Sequence, residues 1–376
     1  MNRFRKQLAL VAALLASPLA LSQPNPGALQ STDTRPAPTA TSIVMPLPNR
    51  LSQTGLYRAG STSEIAPDHL PYTPQYPLWS DAASKRRWIW LPPGTQIDAS
   101  DPDHWQFPIG TRFWKEFSFG ERTETRYLER LPDGSYRYAS YVWDDALADA
   151  LLAPSDGVLG ARDIGEGVSH DIPSDADCRA CHEGRRSPVL GFNALQLSPE
   201  RDPLAPHREQ PAAGALDLYE LVRRGLLRNL PAALQQRAPR IDAPSATARA
   251  AAGYLFGNCA SCHNAEGPLS ELGLDFDQSV LGRDGYARLC ASLDRSSRFR
   301  LPGVADSRRA VARHPEQSAL WFRMQSRNVA ARMPPLGSKR VDRDGTRLIE
   351  RWLASDFEVP PARPFTSNQP NKEHEP

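Results

Sequence analysis

The sequence predicts an α+β fold in which an N-terminal antiparallel β-domain precedes a mainly α-helical region. Three observations support this class. Aromatic and β-branched residues alternate with polar ones in several runs between residues 71 and 164. Turns rich in proline and glycine separate these runs. Beyond residue 244, an alanine-rich segment and an amphipathic segment both follow the period of a helix.

The strands of the β-domain are expected from short alternating runs. RRWIWL stops at a Pro-Pro-Gly turn, and RFWKEFSFG alternates polar and apolar positions. TETRYLER and SYRYASYVW flank Pro132, Asp133 and Gly134. This arrangement is typical of a hairpin, because proline presets one turn angle and glycine accepts a positive φ. Six of the eight tryptophans accompany these runs: Trp79, Trp88, Trp90, Trp105, Trp114 and Trp143. We expect them to be core residues of a half-buried sheet; a sugar-binding or partner-docking surface is the alternative.

The first 22 residues have the pattern of a secretory signal peptide. Arg3, Arg5 and Lys6 precede an apolar run from residue 8 to 21, and small residues lead to a cleavage position after Ser22. The alternative is a membrane anchor, but the run is shorter than the ~20 residues of a membrane span and contains Pro18. The sequence therefore predicts an exported, periplasmic protein with no membrane span in the mature chain.

Composition sets the remaining boundaries and excludes one class of partner. Residues 23–70 are rich in Pro, Ser and Thr, and residues 358–376 are similar, so both are expected to be unstructured. The formal charge of +2 becomes −1 once the three signal-peptide cations are removed. Such a balance argues against nucleic acid as a partner.

Two helical regions are expected after the β-domain. Residues 165–244 include LDLYELVRRGLLRNL, which predicts an amphipathic helix ending at Pro231. Residues 245–357 begin with SATARAAAGYLFGN and end with DGTRLIERWLASDF, each predicted to be a helix. The second of these puts Leu348, Ile349, Trp352 and Leu353 on one face.

Four of the five cysteines form two copies of C-x-x-C-H. Cys178, Cys181 and His182 form the first, and Cys259, Cys262 and His263 form the second. This pattern is that of c-type haem attachment, in which both sulfurs form thioethers and the histidine binds iron. The spacing puts the sulfurs about one helical turn apart. A zinc site built from two C-x-x-C pairs and a thiol redox motif are the alternatives, but zinc leaves both histidines without a role.

The second axial ligand of each iron is a separate question. Met333, in the proline-stiffened segment ARMPPLG, is the expected ligand of the second haem, because a thioether favours the ferrous state. Met324 is the competitor, although its helical segment suggests packing. For the first haem the candidates are His170 and His207, each expected to be a surface histidine unless it binds iron, or an open sixth position.

The remaining cysteine, Cys290, lies in the apolar-periodic segment YARLCASL. If the other four cysteines are consumed by thioethers, Cys290 has no intramolecular disulfide partner. We therefore expect a buried free thiol.

Longer phrases of the sequence resemble a family of exported bacterial dihaem c-type cytochromes. They are YPLWSDAASKRRWIWLPPGTQI, FPIGTRFWKEFSFG, DIPSDADCRACHEG, PVLGFNALQLS, GNCASCHN and RMPPLGS, and the likeness extends from about residue 71 to 357. The resemblance implies two covalent haem c groups, axial His182 and His263, and electron transfer. Residues 245–357 are similar to class I cytochrome c, which supports Met333 as a ligand. The first site departs from that pattern, since no methionine follows it before the second motif.

The functional expectation is a periplasmic carrier that transfers electrons between redox protein partners. Two alternatives belong to other classes. A dihaem peroxidase would feed electrons from a Met/His haem to a first haem with an open sixth position. An electron-accepting subunit would dock to a dehydrogenase through the β-domain.

Overall fold

A computed structural model describes residues 45–358 of the chain, which lie in one compact unit. The strands are β1 (Leu70–Pro71), β2 (Ser84–Trp90), β3 (Ile97–Asp98), β4 (Arg112–Phe119), β5 (Glu121–Arg130), β6 (Tyr136–Trp143), β7 (Ala150–Leu152), β8 (Val158–Asp163), β9 (Ser169–Ile172) and β10 (Leu227–Arg228). The helices are α1 (Asp175–His182), α2 (Leu218–Arg223), α3 (Ala232–Gln236), α4 (Ala246–Asn258), α5 (Gly285–Leu293), α6 (Ala319–Gln325) and α7 (Arg343–Ser355). Short 3₁₀ helices occur at Leu51–Thr54, Ser270–Leu272 and Pro315–Gln317. In this part of the chain, strands β1–β9 precede all seven α-helices, and the two-residue β10 lies between α2 and α3, an order that agrees with the α+β class.

A six-stranded antiparallel sheet forms the N-terminal half, in the order β1-β2-β4-β5-β6-β7. The predicted hairpin between β5 and β6 is confirmed, and Gly134 in its turn has a φ of +85°. Successive side chains of a strand point to opposite faces, so the sheet has two different sides. Register places Trp88, Trp114 and Tyr127 on one side and Ile89, Phe113 and Leu128 on the other.

Both sides of the sheet are covered. The side bearing Trp114 packs with Trp88, Trp143 and Tyr141 into one apolar cluster. The side bearing Phe113 packs into a second cluster, to which the segment around Phe192 contributes. Four of the six tryptophans in question are buried and belong to these clusters: Trp88, Trp105, Trp114 and Trp143. The expectation that they are core residues holds for these four, while Trp79 and Trp90 are half-buried.

The segment before the sheet is more ordered than its composition predicts. Leu51 and Leu56 are completely buried against the sheet, and Tyr57 joins the same cluster. The indole Nε1 of Trp114 donates a hydrogen bond to Thr54 Oγ1 at 2.9 Å. The expected unstructured leader therefore does not extend through residue 70. The apolar residues of this segment are too widely spaced to show a period, yet they are buried in the apolar cluster on one side of the sheet.

The C-terminal half is built on α4, α5 and α7. The alanine-rich α4 is buried along most of its length and packs against α7 and α5. Leu348, Ile349, Trp352 and Leu353 of α7 are all buried, as predicted from their spacing. Cys290 on α5 is completely buried and free, as expected.

The predicted long helix before Pro231 is wrong. Helix α2 ends at Arg223, because Gly225 follows with a φ of +66° and turns the chain. The next two residues, Leu227 and Arg228, pair instead with β3 in a parallel bridge. Tertiary pairing with the β-domain has overridden a favourable helical pattern.

The ends of the chain carry expectations that fall outside the described residues. These are the signal peptide over residues 1–22, the leader over residues 23–44 and the tail from residue 359. Within residues 45–358, no helix has both the length and the apolar character needed to cross a bilayer.

Candidate haem centres

The first C-x-x-C-H lies on helix α1, directly after strand β9. Ser174 caps this helix: its Oγ accepts from the Asp177 backbone N–H, and its own N–H donates to the Asp177 carboxylate at 3.0 Å. Such a reciprocal box fixes where the helix begins. The helix then puts Cys178 and Cys181 one turn apart, with both side chains half-buried and free. Two accessible sulfurs on one turn suit covalent attachment to a porphyrin edge.

The ring of His182 is fixed by one hydrogen bond and one aromatic contact. Its Nδ1 donates to the carbonyl oxygen of Pro188 at 2.6 Å, and its ring lies 5.1 Å from that of Tyr138. Burial lowers the pKa of His182 to about 4, so the ring is neutral at physiological pH. With the proton on Nδ1, Nε2 carries the lone pair that a metal needs. Nε2 makes no hydrogen bond to residues 45–358.

The second C-x-x-C-H follows helix α4. The Cys259 N–H donates to Leu255 O at 2.8 Å, and the His263 N–H donates to Cys259 O at 2.9 Å, so the helical winding continues into the motif. Cys259 and Cys262 are half-buried and free. The ring of His263 lies edge-on to Phe276. Its Nδ1 is buried with no hydrogen-bond partner among the described residues. The second motif thus presents the same two thiols and one imidazole as the first.

The two motifs touch each other although 80 residues separate them in the chain. The Asn264 side-chain amide donates to the Gly184 carbonyl at 2.8 Å. A Cβ on Gly184 would lie only 2.2 Å from the Ser261 carbonyl oxygen, so only glycine permits this approach. The charge of Cys262 adds to burial in raising the pKa of Cys181, so the second cysteine of one motif lies near the second cysteine of the other. Nothing in the sequence indicated this proximity.

Ion pairs continue the contact beyond the motifs. The Arg186 guanidinium pairs with Glu266 at 2.6 Å, and Arg185 pairs with Asp277. Arg185 also covers the ring of Phe256, on α4, at 5.1 Å. The segment after the first motif is thus fixed on the segments that flank the second.

Met333 lies in a loop that is anchored on three sides. Its backbone N–H donates to Arg323 O at 2.9 Å, and the Arg323 side chain donates to Ala331 O. Burial is the main cause of the lowered pKa of His263, and the charge of Arg323 lowers that pKa further. Farther along the loop, the backbone N–H groups of Lys339 and Arg340 both donate to the buried Asp81 carboxylate at 2.8 Å. The Met333 side chain is half-buried. These contacts restrain the loop and would hold its thioether in a fixed position.

Met324 occupies a different environment. It is buried in the C-terminal apolar cluster together with the helices α4 and α7. A thioether enclosed by hydrocarbon fills space in the core.

Both histidine candidates for the first iron are engaged with carboxylates. His170 Nε2 lies 3.0 Å from Glu124 Oε1, and His207 Nε2 lies 2.7 Å from Asp342 Oδ1. The expectation of surface histidines is wrong for His170, which is 5% exposed and lies in β9 against Phe119. His207 is half-buried and its ring lies against Trp79. Each ring would have to leave its carboxylate, or use Nδ1, to bind iron.

The structure reveals charged groups near the first motif that the sequence did not single out. Glu124 is completely buried, its Oε1 pairs with Arg126 at 2.6 Å, and its Oε2 has no partner within residues 45–358. Burial is the main cause of the raised pKa of Cys178, and the charge of Glu124 raises that pKa further. The sequence does contain one signal for this pair. Glu124 and Arg126 have opposite charges and are two residues apart in a strand, so their side chains lie on the same face.

The comparisons with known proteins do not assign a class. No family model, no curated protein and no solved structure matches the chain. In the part of the chain that the structure describes, no group of three or more His, Cys, Asp or Glu side chains is arranged to hold a metal ion on its own. Each motif instead offers two thiols for thioether bonds and one imidazole as a metal ligand, which is the combination that haem c requires.

Proposed function

We propose that this chain is an exported electron carrier that binds two covalent haem c groups, one at Cys178 and Cys181 and the other at Cys259 and Cys262. One observation carries the proposal: the two C-x-x-C-H segments pack against each other, and each has a histidine with a ring nitrogen that makes no hydrogen bond to residues 45–358, Nε2 in His182 and Nδ1 in His263. When bound, each haem iron accepts and releases one electron.

The protein groups have separate tasks in this proposal. His182 and His263 are the proximal ligands, and the Pro188 carbonyl fixes the His182 tautomer. Met333 is the sixth ligand of the second haem. Contact between the motifs would hold the two attachment sites close together, and two haems bound there would supply one-electron chemistry between redox partners. Export, which the N-terminal pattern indicates, places the carrier and its partners in the periplasm.

The first prediction is that the mature protein carries two haems. Its intact mass after removal of non-covalent haem should exceed that of the mature polypeptide by two haem groups, and pyridine haemochrome absorbance should give two per chain. Cys178→Ala with Cys181→Ala should remove one haem, and the same change at Cys259 and Cys262 should remove the other. A mass equal to that of the bare polypeptide would contradict the proposal.

A dihaem peroxidase is the second candidate, favoured by one observation. The Nε2 atoms of His170 and His207 are both held by carboxylates, which leaves the sixth position of the first iron without a committed histidine. Glu124, near Cys178, supplies a buried carboxylate that could act as an acid or base. A wild-type high-spin signal that changes on adding cyanide, together with peroxide turnover, would favour this reading over a simple carrier.

A further inference from the structure

Four cations lie side by side on one face of the sheet. Register pairs Arg87 of β2 with Lys115 of β4, and Lys115 with Arg126 of β5. Lys85 lies two residues before Arg87 and therefore points to the same face. Like charges opposite each other on neighbouring strands are destabilising, so this arrangement requires anions. We call these four residues the cationic row.

Only two of the four cations have a carboxylate partner. Arg87 binds Glu209 through both guanidinium NH groups, and Arg126 binds Glu124. Lys85 and Lys115 make no hydrogen bond and no ion pair with any residue between 45 and 358. Nζ of Lys115 lies over the ring of Phe117, 4.8 Å from its centroid.

The two unpaired lysines are not simply solvated. Both side chains are half-buried. Desolvation and the charge of Arg87 lower the pKa of Lys85 to about 8, and the same two effects lower the pKa of Lys115 well below its usual value. An anion between the two lysines would stabilise the charged form of each ammonium group and so raise both pKa values.

The cationic row lies on the face of the sheet that contacts the first C-x-x-C-H. Tyr138 is opposite Leu128 in register and so shares the face of Arg126, and its ring lies 5.1 Å from that of His182. Burial is the main cause of the low pKa of His182, and the charges of Lys115 and Arg126 lower it further. Arg126 also acts on Cys178, where it opposes the increase in pKa caused by burial. A third carboxylate, Asp342, acts on Lys85 from farther away, but its two oxygens are engaged by His207 and Tyr254.

We infer that Lys85 and Lys115, assisted by Arg126, hold the propionate carboxylates of the haem attached at Cys178 and Cys181. Four cations face two carboxylates, which leaves two positive charges uncompensated, and one haem carries two propionates. The sheet would then be one wall of the haem site and not only a scaffold. The inference rests on the proposed function, since it requires haem at the first motif.

The test uses the full-length holoprotein with Lys85→Met and Lys115→Met, singly and together. A nearby positive charge repels the ferric haem more strongly than the ferrous haem. Removing that charge stabilises the ferric state, so the midpoint potential of the first haem should fall. Resonance Raman propionate bending bands should shift, and the double variant should shift more than either single one. The second haem should keep its potential in an EPR-monitored redox titration.

Two controls separate charge from size and position. Lys115→Arg keeps the positive charge and should keep a potential close to that of the wild type. Arg58→Gln removes one charge from a side chain that is 61% exposed and should change neither band nor potential. Thermal unfolding of each variant identifies a fold defect, and Lys85→Met provides an independent test if Lys115→Met does not mature.

Three outcomes would overturn the inference. The first is propionate bands and a first-haem potential that match the wild type in the double variant. The second is a first haem that becomes high-spin in Lys115→Met, which would make Lys115 an iron ligand instead. The third is a wild-type shift on adding sulfate that the variants lack, which would make the row a site for a free anion. The haemochrome count on the same samples distinguishes these results from failure of the proposed function, in which no covalent haem is found.

Discussion

At the residue scale, His182 and His263 differ in one hydrogen bond. The Nδ1 of His182 donates to the Pro188 carbonyl, while the Nδ1 of His263 has no partner among the described residues. A hydrogen bond at Nδ1 makes imidazole a stronger electron donor and stabilises ferric iron. A thioether ligand such as Met333 works in the opposite direction and favours ferrous iron. With haem c bound at both motifs, as proposed, both effects would give the second haem the higher potential.

Met333→Ala tests the ligand assignment at the second haem. The variant should lose the weak near-infrared band that arises from sulfur-to-iron charge transfer, and the potential of that haem should fall, because the iron loses a ligand that favours the ferrous state. Absorption spectroscopy and redox titration measure the two effects. The first haem should keep its spectrum.

Met324→Ala is the matched control for this substitution. Removing a buried methionine should lower the free energy of unfolding by about 2–5 kcal/mol while leaving the near-infrared band in place. If Met333→Ala leaves the band unchanged and Met324→Ala abolishes it, the assignment of the two methionines is reversed.

At the scale of elements, helix α1 depends on close backbone contact with the second motif. In Gly184→Ala, the new methyl group would lie 2.2 Å from Ser261 O and force the two segments apart. The expected result is a loss of about 1–3 kcal/mol in the free energy of unfolding, as for other overpacked sites, together with slower electron transfer between the haems. Chemical denaturation and pulse radiolysis measure these quantities.

Gly282→Ala is the comparison for that substitution. Its added Cβ would meet only the side chains of Asp284 and Ser279, at 3.0 Å or more, so they can adjust. Stability and transfer rate should stay close to the wild-type values. Equal effects of both alanines would show that the contact between Gly184 and Ser261 has no special role.

The elements themselves were largely predictable, because they depend on local patterns. The hairpin at Gly134, the helices α4 and α7, and the burial of Cys290 all follow from spacing that a short window reveals. The helix predicted through residue 230 failed where pairing with β3 competed for the same residues. Leu51 and Leu56 were missed because single apolar residues in a proline-rich segment show no period.

The candidate sites were predictable in composition but not in arrangement. C-x-x-C-H is a local pattern, so the sulfurs and histidines could be named from the sequence. The contact between Gly184 and Asn264 joins residues 80 apart, and the pairing of Lys115 with Arg126 depends on strand register. Neither has a local signature. His170 was expected at the surface because a lone histidine gives no indication of the buried Glu124 opposite it.

At the scale of the whole molecule, contact between the motifs predicts that the two haems influence each other. Reduction of one iron places an extra negative charge near the other, and partly buried charges interact more strongly than exposed ones. A redox titration should therefore fit two interacting centres, with the potential of the second electron lowered by the first. Potentials that do not change when the other haem is held in one state by a bound ligand would contradict this expectation.

The Asp81 carboxylate links parts of the chain that a domain diagram would separate. It lies just before strand β2, yet it accepts the backbone N–H groups of Lys339 and Arg340, six and seven residues beyond Met333. The same loop reaches the β8-β9 hairpin, where Lys339 pairs with Asp171 at 2.6 Å. The C-terminal part is consequently not an exchangeable unit. Excising residues 245–358 would remove the contacts of the loop with Asp81 and Asp171, so truncation at residue 245 would yield a fragment in which Met333 is less restrained.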